Sequence, residues 1–163
     1  TRGLTPTAVA GALRDQGQPA EADWPYQMTH PNPWAVPEVG ERWLGEFEQL
    51  VSTDMATIAG HIQRQQSVVL GLRLTEEFVS PSPPATIVHA DKRGVSGHAV
   101  LAVGCGRSKQ HGPLLLVRNS WGPQWGDSGY AWISNGYLKY NLIVAGVVTG
   151  IEGGRETNAS NQR

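Results

Sequence analysis

Two short motifs carry the residue types that could do chemistry in this chain. The first is Gly97-His98-Ala99-Val100, and the second, further along the chain, is Asn119-Ser120-Trp121-Gly122. Imidazole is the side chain whose charge changes most readily near neutral pH, so His98 is a candidate for proton transfer. The chain has a single thiol, Cys105, and no cysteine precedes His98. Any chemistry by a thiol of this sequence would therefore have to use Cys105, which follows His98.

Cys105 is the thiol that could serve as a nucleophile within this sequence. It lies seven positions after His98 on what reads as one strand, and an odd offset predicts that the two side chains point to opposite faces. Its position between Gly104 and Gly106 is typical of a small buried residue. We therefore do not expect Cys105 to react with a substrate.

The remaining histidines predict no metal site. None of them has the short spacing to a second ligand that zinc sites show, and they are scattered at His30, His61, His89 and His111. We accordingly expect no metal and no other cofactor. The sequence Asn158-Ala159-Ser160 fits the glycosylation pattern, but this pattern is common by chance.

Composition and charge narrow the class of partner. The 163 residues are 39% apolar, which is enough for one core and a small second lobe. A formal net charge of −1, with both signs interspersed, argues against nucleic acid and against an anionic membrane. No apolar run has the length of a membrane span, and a single cysteine fits a reducing, cytoplasmic compartment. Because the first residue is Thr1, we expect the chain to be a piece of a longer product.

The spacing of apolar residues predicts two helices in the first part of the chain. Thr5-Pro6 opens one helix, which ends before Gly17. Thr53-Asp54 opens the second, which ends before Ser67. Between them, the proline-rich stretch 19–40 predicts a meandering connection that packs aromatic side chains.

The rest of the chain is β-prone. Short apolar stretches separated by turn residues predict an antiparallel barrel or a strongly bent sheet. A polar tail at 152–163 is expected to be flexible. The predicted strands are Ser67–Leu72, Ser96–Val103, Leu114–Arg118, Gly129–Ile133 and Ala145–Val148.

The two motifs, in this order and joined by strands, resemble the papain-like cysteine peptidases. Gly97 to Gly104 is similar to the strand that carries the family's catalytic His, and Leu116 to Gly122 to the strand and turn that present its Asn. Trp125-Gly126 and Gly129-Tyr130 continue the pattern, and a weaker likeness covers most of the chain.

The resemblance implies an α+β fold with a barrel-like antiparallel β lobe and a few short helices. One papain-like domain would then occupy residues 1–151, with an incomplete helical lobe at about 1–50 and a β lobe at about 51–151.

The resemblance also implies roles for individual residues. His98 would pair with a thiolate nucleophile, and the side-chain oxygen of Asn119 would accept from the other ring nitrogen of His98. Trp121 would cover that hydrogen bond against water. The walls of the main specificity pocket would be Val69, Ser96 and Ala99, with Ser96 making the pocket more polar.

The family's nucleophilic Cys, and the Gln that helps to hold its oxyanion, precede these motifs and have no counterpart in this sequence. Three functions therefore stay open. The chain could belong to a peptidase whose Cys lies on an upstream segment or on another chain. It could instead be an inactive papain-like module that binds peptides or proteins. It could also be a structural domain that docks through the apolar surface facing the missing lobe.

Overall fold

A computed structural model describes residues 5–25, 40–88 and 92–155 and divides the chain into two units. The smaller unit combines Thr1–Phe47 with Val148–Arg163, and the larger unit spans Glu48–Val147. The sequence predicts lobes of about 1–50 and 51–151. The difference lies at the C-terminal end, where the last strand belongs in part to the smaller unit.

The first predicted helix is confirmed as α1 (Pro6–Asp15) in the smaller unit. Thr5 caps it, because its hydroxyl oxygen accepts from the N–H of Ala8 at 3.2 Å. Gly17 ends it in the left-handed region (φ +72°), where its N–H donates to the carbonyl of Ala12. Start and stop signals in the sequence thus suffice to define this helix.

The smaller unit also contains β1 (Gln18–Pro19) and most of β2 (Glu41–Gln49) and of β8 (Leu142–Arg155), which are neighbours in that order. β8 runs through residues 152–155, where the sequence predicts a flexible tail. A strand beside β2 can satisfy its backbone hydrogen bonds even where its composition is polar, and the flexibility of the tail stays a prediction. Residues 26–39 of the predicted meander and residues 156–163 of the predicted tail lie outside the described residues.

The second predicted helix is confirmed as α2 (Met55–Gln63) in the larger unit. Asp54 caps it, with its carboxylate accepting from the N–H of Thr57 at 2.8 Å. Met55 and Ile58 are buried on the face that packs toward the strands. The capping residue and the spacing of apolar residues therefore both favour a helix here.

The five predicted strands of the β-rich half are confirmed, with changed ends. They are β3 (Val68–Leu74), β5 (Ser96–Ser108), β6 (Gly112–Arg118), β7 (Tyr130–Ser134) and the first part of β8. A short β4 (Thr86–Ile87) completes the order β8-β3-β5-β6-β7-β4 in this unit, and it runs parallel to β7 while the register of the other pairs is antiparallel.

Two short helices in the larger unit were not predicted. They are α3 (Glu76–Val79) and α4 (Asn135–Asn141), and each begins after a hydroxyl cap, Thr75 or Ser134. α4 carries Gly and Asn, which have low helix propensity, and α3 is a single turn. Tertiary packing therefore stabilises both helices.

One apolar core joins these elements. Alternate residues of the strands meet the buried faces of α2 and α4, which gives the α+β fold that the sequence predicts. The largest fully buried side chains of the core are Ile58, Leu70, Leu72, Phe78, Ile87, Leu115, Ile133 and Tyr137.

A hydrogen bond at the edge of this core predicts a stability difference between two tyrosines of α4. The hydroxyl of the fully buried Tyr137 donates to the carbonyl of Arg73 at 2.8 Å. Tyr137→Phe is expected to lower the free energy of unfolding by about 1 kcal/mol, because it leaves that carbonyl without its donor. Urea denaturation measures this change. Tyr140→Phe is the matched control, since Tyr140 is 46% exposed, and an equal effect of both variants would contradict the assignment.

The cap of α2 predicts a pH dependence. The pKa of Asp54 is lowered from 3.8 to about 2 by hydrogen bonds from the Ser52 hydroxyl and then from the Thr57 N–H. Because the folded pKa is the lower one, Asp54 contributes stability above pH 3.8, and the contribution is lost as the pH falls towards 2. Asp54→Asn keeps an acceptor but cannot titrate, so it should flatten the decline of the unfolding free energy over that range. Urea midpoints measured across this pH range test it, and the same decline in the variant as in the parent chain would refute it.

Candidate active site

His98 is the third residue of β5 and is half-buried. It pairs with Leu72 of β3, while Val100 and Ala102, the next residues on the same face of β5, are buried in the core. Strand alternation therefore places the imidazole on the core side of the sheet, at the margin of the core.

Asn119 directly follows β6 and is only 7% exposed. The antiparallel register pairs Leu101 of β5 with Arg118 of β6. Asn119 thus leaves β6 close to the beginning of β5, where His98 lies. The N–H of Asn119 donates to the carbonyl of Gly129 at 2.9 Å, which holds the backbone at this turn.

A hydrogen bond of 2.8 Å joins Nε2 of His98 to Oδ1 of Asn119. The backbone N–H of Ser120 donates to the same Oδ1, also at 2.8 Å. The N–H of Ser120 can only donate, so the Asn119 atom that it contacts must be the side-chain oxygen rather than the side-chain nitrogen. Nε2 must then carry a proton, which leaves Nδ1 as the acceptor nitrogen of the neutral ring. Within the part of the chain that the structure describes, Nδ1 makes no hydrogen bond.

The orientation of Asn119 has an energetic cost. Its Nδ2 is buried and has no hydrogen-bond partner among the described residues. An unsatisfied buried donor destabilises a folded protein by about 1–3 kcal/mol. Asn119 is therefore a poor choice for stability alone, although it suits the role of orienting an imidazole.

Aromatic side chains enclose the imidazole. The ring of Trp121 lies 4.6 Å from that of His98 between centroids and is tilted by 35° to it, while Trp121 remains 38% exposed. Phe78 of α3 is fully buried, and its ring lies at steep angles to those of His98 and Trp121, at centroid distances of 6.3 Å and 6.0 Å. Trp121 thus covers the site from the solvent side, and Phe78 supports it from the core.

Phe78 is a site residue that the sequence analysis missed. Its carbonyl accepts from Nε1 of Trp125 at 2.8 Å, and its ring also contacts those of Trp125 and Tyr137. The only signal in the sequence is a lone aromatic residue three positions after a capping Thr75. Trp125 is buried.

Cys105 lies on a different face of β5 from the one predicted. It pairs with the buried Leu115 and packs against the core, and is itself half-buried. The prediction of an opposite face is wrong because the register shifts between Ala102 and Gly104, which changes the alternation of side chains. The thiol is nonetheless remote from His98, because seven residues of extended strand span about 20 Å.

The three predicted pocket residues lie on neighbouring strands. Val69 of β3 pairs with Leu101, and Ala99 of β5 pairs with Gly71, so Val69 and Ala99 are diagonal neighbours on the face away from the core. Ser96 is the first residue of β5, and alternation assigns it to the face that carries His98. The register therefore brings together Val69 and Ala99 but not Ser96.

An open groove of about 430 Å³ borders Trp121. One wall is formed by Val79, the last residue of α3, and by Ser80 and Pro81, which follow it. Another wall is formed by Gln124 and Trp125. Among the described residues, no group of His, Cys, Asp and Glu could hold a metal ion, and no helix is long and apolar enough to span a membrane.

The buried position of Phe78 predicts that it controls both stability and the orientation of the imidazole. Phe78→Leu should lower the unfolding free energy by about 1–3 kcal/mol and should also shift the ring-proton resonances of His98, because the support of Trp121 is lost. Urea denaturation and NMR of the His98 ring measure the two effects. Ile133→Val is the control, since it also weakens the core but does not touch His98. A shift of His98 equal to that of the control would contradict the role.

Comparisons with known proteins identify the family of the chain. A sequence profile described as papain family cysteine protease matches residues 1–150. Pro-cathepsin H of Mus musculus is 30% identical over 138 residues, which cover 82% of this chain but 40% of that protein. The chain thus spans less than half the length of this relative.

Solved structures support the same fold. Bromelain from Ananas comosus superposes with a TM-score of 0.65 at 19% identity, over 90% of this chain and 70% of that one. Xylellain, a cysteine protease from Xylella fastidiosa, superposes with a TM-score of 0.67 at 20% identity, over 92% of this chain and 63% of that one. The α+β sheet architecture and the match across residues 1–150 lead to one conclusion: the chain belongs to the papain family of cysteine proteases.

Proposed function

We propose that this chain supplies the His–Asn half of a cysteine-peptidase site, and that a thiol from outside this sequence completes it. The thiol would come from an upstream segment or from another chain. The observation that carries the proposal is the pair of hydrogen bonds to Oδ1 of Asn119, from His98 and from Ser120. They leave Nδ1 of His98 as a proton acceptor for an incoming thiol.

The proposed reaction is the hydrolysis of a peptide bond. Nδ1 of His98 takes the thiol proton, and the resulting thiolate attacks the carbonyl carbon of the substrate. As the C–N bond breaks, Nδ1 returns its proton to the leaving nitrogen, and an acyl thioester remains. Water then attacks the thioester and gives a proton to Nδ1, which releases the acid and restores the thiolate–imidazolium pair. Asn119 holds the ring in one orientation throughout.

The unsatisfied Nδ2 of Asn119 supports a functional origin of the site. A chain selected for stability alone gains nothing from a buried amide with an unpaired donor. The position of Trp121 supports the same conclusion. Its ring lies over His98, although this position leaves more than a third of its surface exposed to solvent. These features are explained if the imidazole must stay oriented for chemistry.

The substrate in this proposal is a peptide or a protein. Val69 and Ala99 would form an apolar part of the surface that binds a substrate side chain, whereas Ser96 lies on the other face of β5 and would not line that surface. The groove beside Trp121 offers room for a further part of the same chain. No nucleic acid, membrane or cofactor is needed for this chemistry.

Covalent labelling tests the proposal. The chain is incubated with a peptidyl vinyl sulfone, a thiol-directed probe, alone and after co-expression with the sequence encoded upstream of Thr1, and intact mass is read out. We expect labelling in the co-expressed sample only, on a cysteine outside this sequence, and loss of about 99% of it in His98→Ala, because the thiolate then lacks its partner.

Cys105→Ser is the matched control for labelling. It removes the single thiol of the chain and leaves His98, Asn119 and Trp121 in place, so labelling of the co-expressed sample should not change. Labelling of Cys105 in the isolated chain, or undiminished labelling in His98→Ala, would contradict the proposal.

A second candidate function is an inactive papain-like module that binds peptides or proteins. The observation in its favour is the position of the chain's own thiol, on β5 and about 20 Å from His98. The same experiment separates the two functions. If no sample is labelled while the co-expressed partner stays bound to the chain, the site is used for recognition rather than for hydrolysis.

A further inference from the structure

Asn141 is the last residue of α4 and has no exposed surface. Its Oδ1 accepts from the N–H of Gly94 at 2.9 Å, and its Nδ2 donates to the carbonyl of Lys92 at 3.4 Å. Burying an amide is unfavourable unless both of its ends are hydrogen-bonded, and here both are. The side chain therefore links the end of α4 to the segment that precedes β5.

This segment leads directly into the site. Gly94 lies so close to β3 that a Cβ there would come within 2.2 Å of the carbonyl oxygen of Leu74, which leaves no room for a side chain. Ser96, two residues on, pairs with the same Leu74, and His98 pairs with Leu72. Asn141 thus holds backbone groups four and six residues before His98.

The first residues of β5 have fewer strand contacts than the rest of it. Pairing with β3 begins at Ser96, whereas the described pairing with β6 begins only at Leu101. His98 therefore stands in a part of β5 that is hydrogen-bonded to a neighbouring strand on one side. A strand segment that is paired on one side only is held less firmly, so its backbone orientation depends more on the segment that precedes it.

We infer that Asn141 is a positioning residue for His98. It fixes the entry of the chain into β5, and through that backbone it keeps Nε2 of His98 aligned with Oδ1 of Asn119. The role rests on the proposed function, because a fixed imidazole matters for a reaction, but the alignment itself can be measured in the isolated chain. Asn141 touches neither the imidazole nor a substrate, so it is not a catalytic residue.

NMR of the chain labelled with ¹⁵N-histidine tests the inference. In mildly alkaline buffer, the parent chain should show two widely separated ring-nitrogen resonances for His98, with the proton on Nε2. In Asn141→Leu, which keeps the approximate volume but removes both hydrogen bonds, the two shifts should move toward each other. Exchange of the Nε2 proton with solvent should become about tenfold faster, as expected for weakening of one hydrogen bond.

Asn141→Asp separates the two ends of the amide. It retains an acceptor for the Gly94 N–H but cannot donate to Lys92, so its shifts should lie between those of the parent and of Asn141→Leu. If Asn141→Leu does not fold, a change in the His98 resonances of Asn141→Asp still supports the inference, and parent-like resonances overturn it.

Ile133→Val is the control for a general loss of stability, because it weakens the core without contacting the segment before β5. Parent-like His98 shifts and proton exchange in a folded Asn141→Leu would overturn the inference, as would an equal change in Ile133→Val. Absence of labelling by the vinyl sulfone would bear on the proposed peptidase activity alone, because the NMR measurement needs no nucleophile.

Discussion

The antiparallel pairing of β5 with β3 on one side and with β6 on the other sets the position of both site residues. The register with β3 places His98 opposite Leu72 at the margin of the core. The register with β6 ends at Arg118, so that Asn119 emerges beside the start of β5. Neither side chain could meet the other if either strand slipped by one residue, because a slip moves every side chain to the other face.

Stability and orientation make different demands on this site. The core of the larger unit is built from alternate apolar residues that exclude water, and Phe78 extends it up to the edge of the imidazole. Asn119 and Trp121 depart from that rule, since one buries an unpaired donor and the other leaves part of a large ring in solvent. Departures of this kind concentrate where a protein must hold a reactive group rather than minimise its free energy.

Much of the fold can be predicted from the sequence because its signals are local. Thr5, Asp54 and Gly17 mark helix ends through their own side chains or backbone freedom, and the five apolar stretches of the second half became strands. The pair His98 and Asn119 was recognisable because each sits in a motif. What was missed depends on distant contacts: α4 has low helix propensity and is held by packing, and Phe78 acquires its role from rings that are remote in sequence.

The register shift between Ala102 and Gly104 changes which residues of β5 face the core. Before it, even-numbered residues such as Val100 turn inward, and after it the odd-numbered Cys105 does so, while Gly106 lies against the ring of Trp132 on the outer side. Insertions and deletions therefore have unequal effects along one strand. Because Val103 is the extra residue at this shift, its removal would make the alternation regular and would leave both Cys105 and His98 on the inner face, whereas removal of any other residue of the distal half would exchange the faces beyond it. The extra residue thus lets His98 and Cys105, seven positions apart, lie on the same face of the strand.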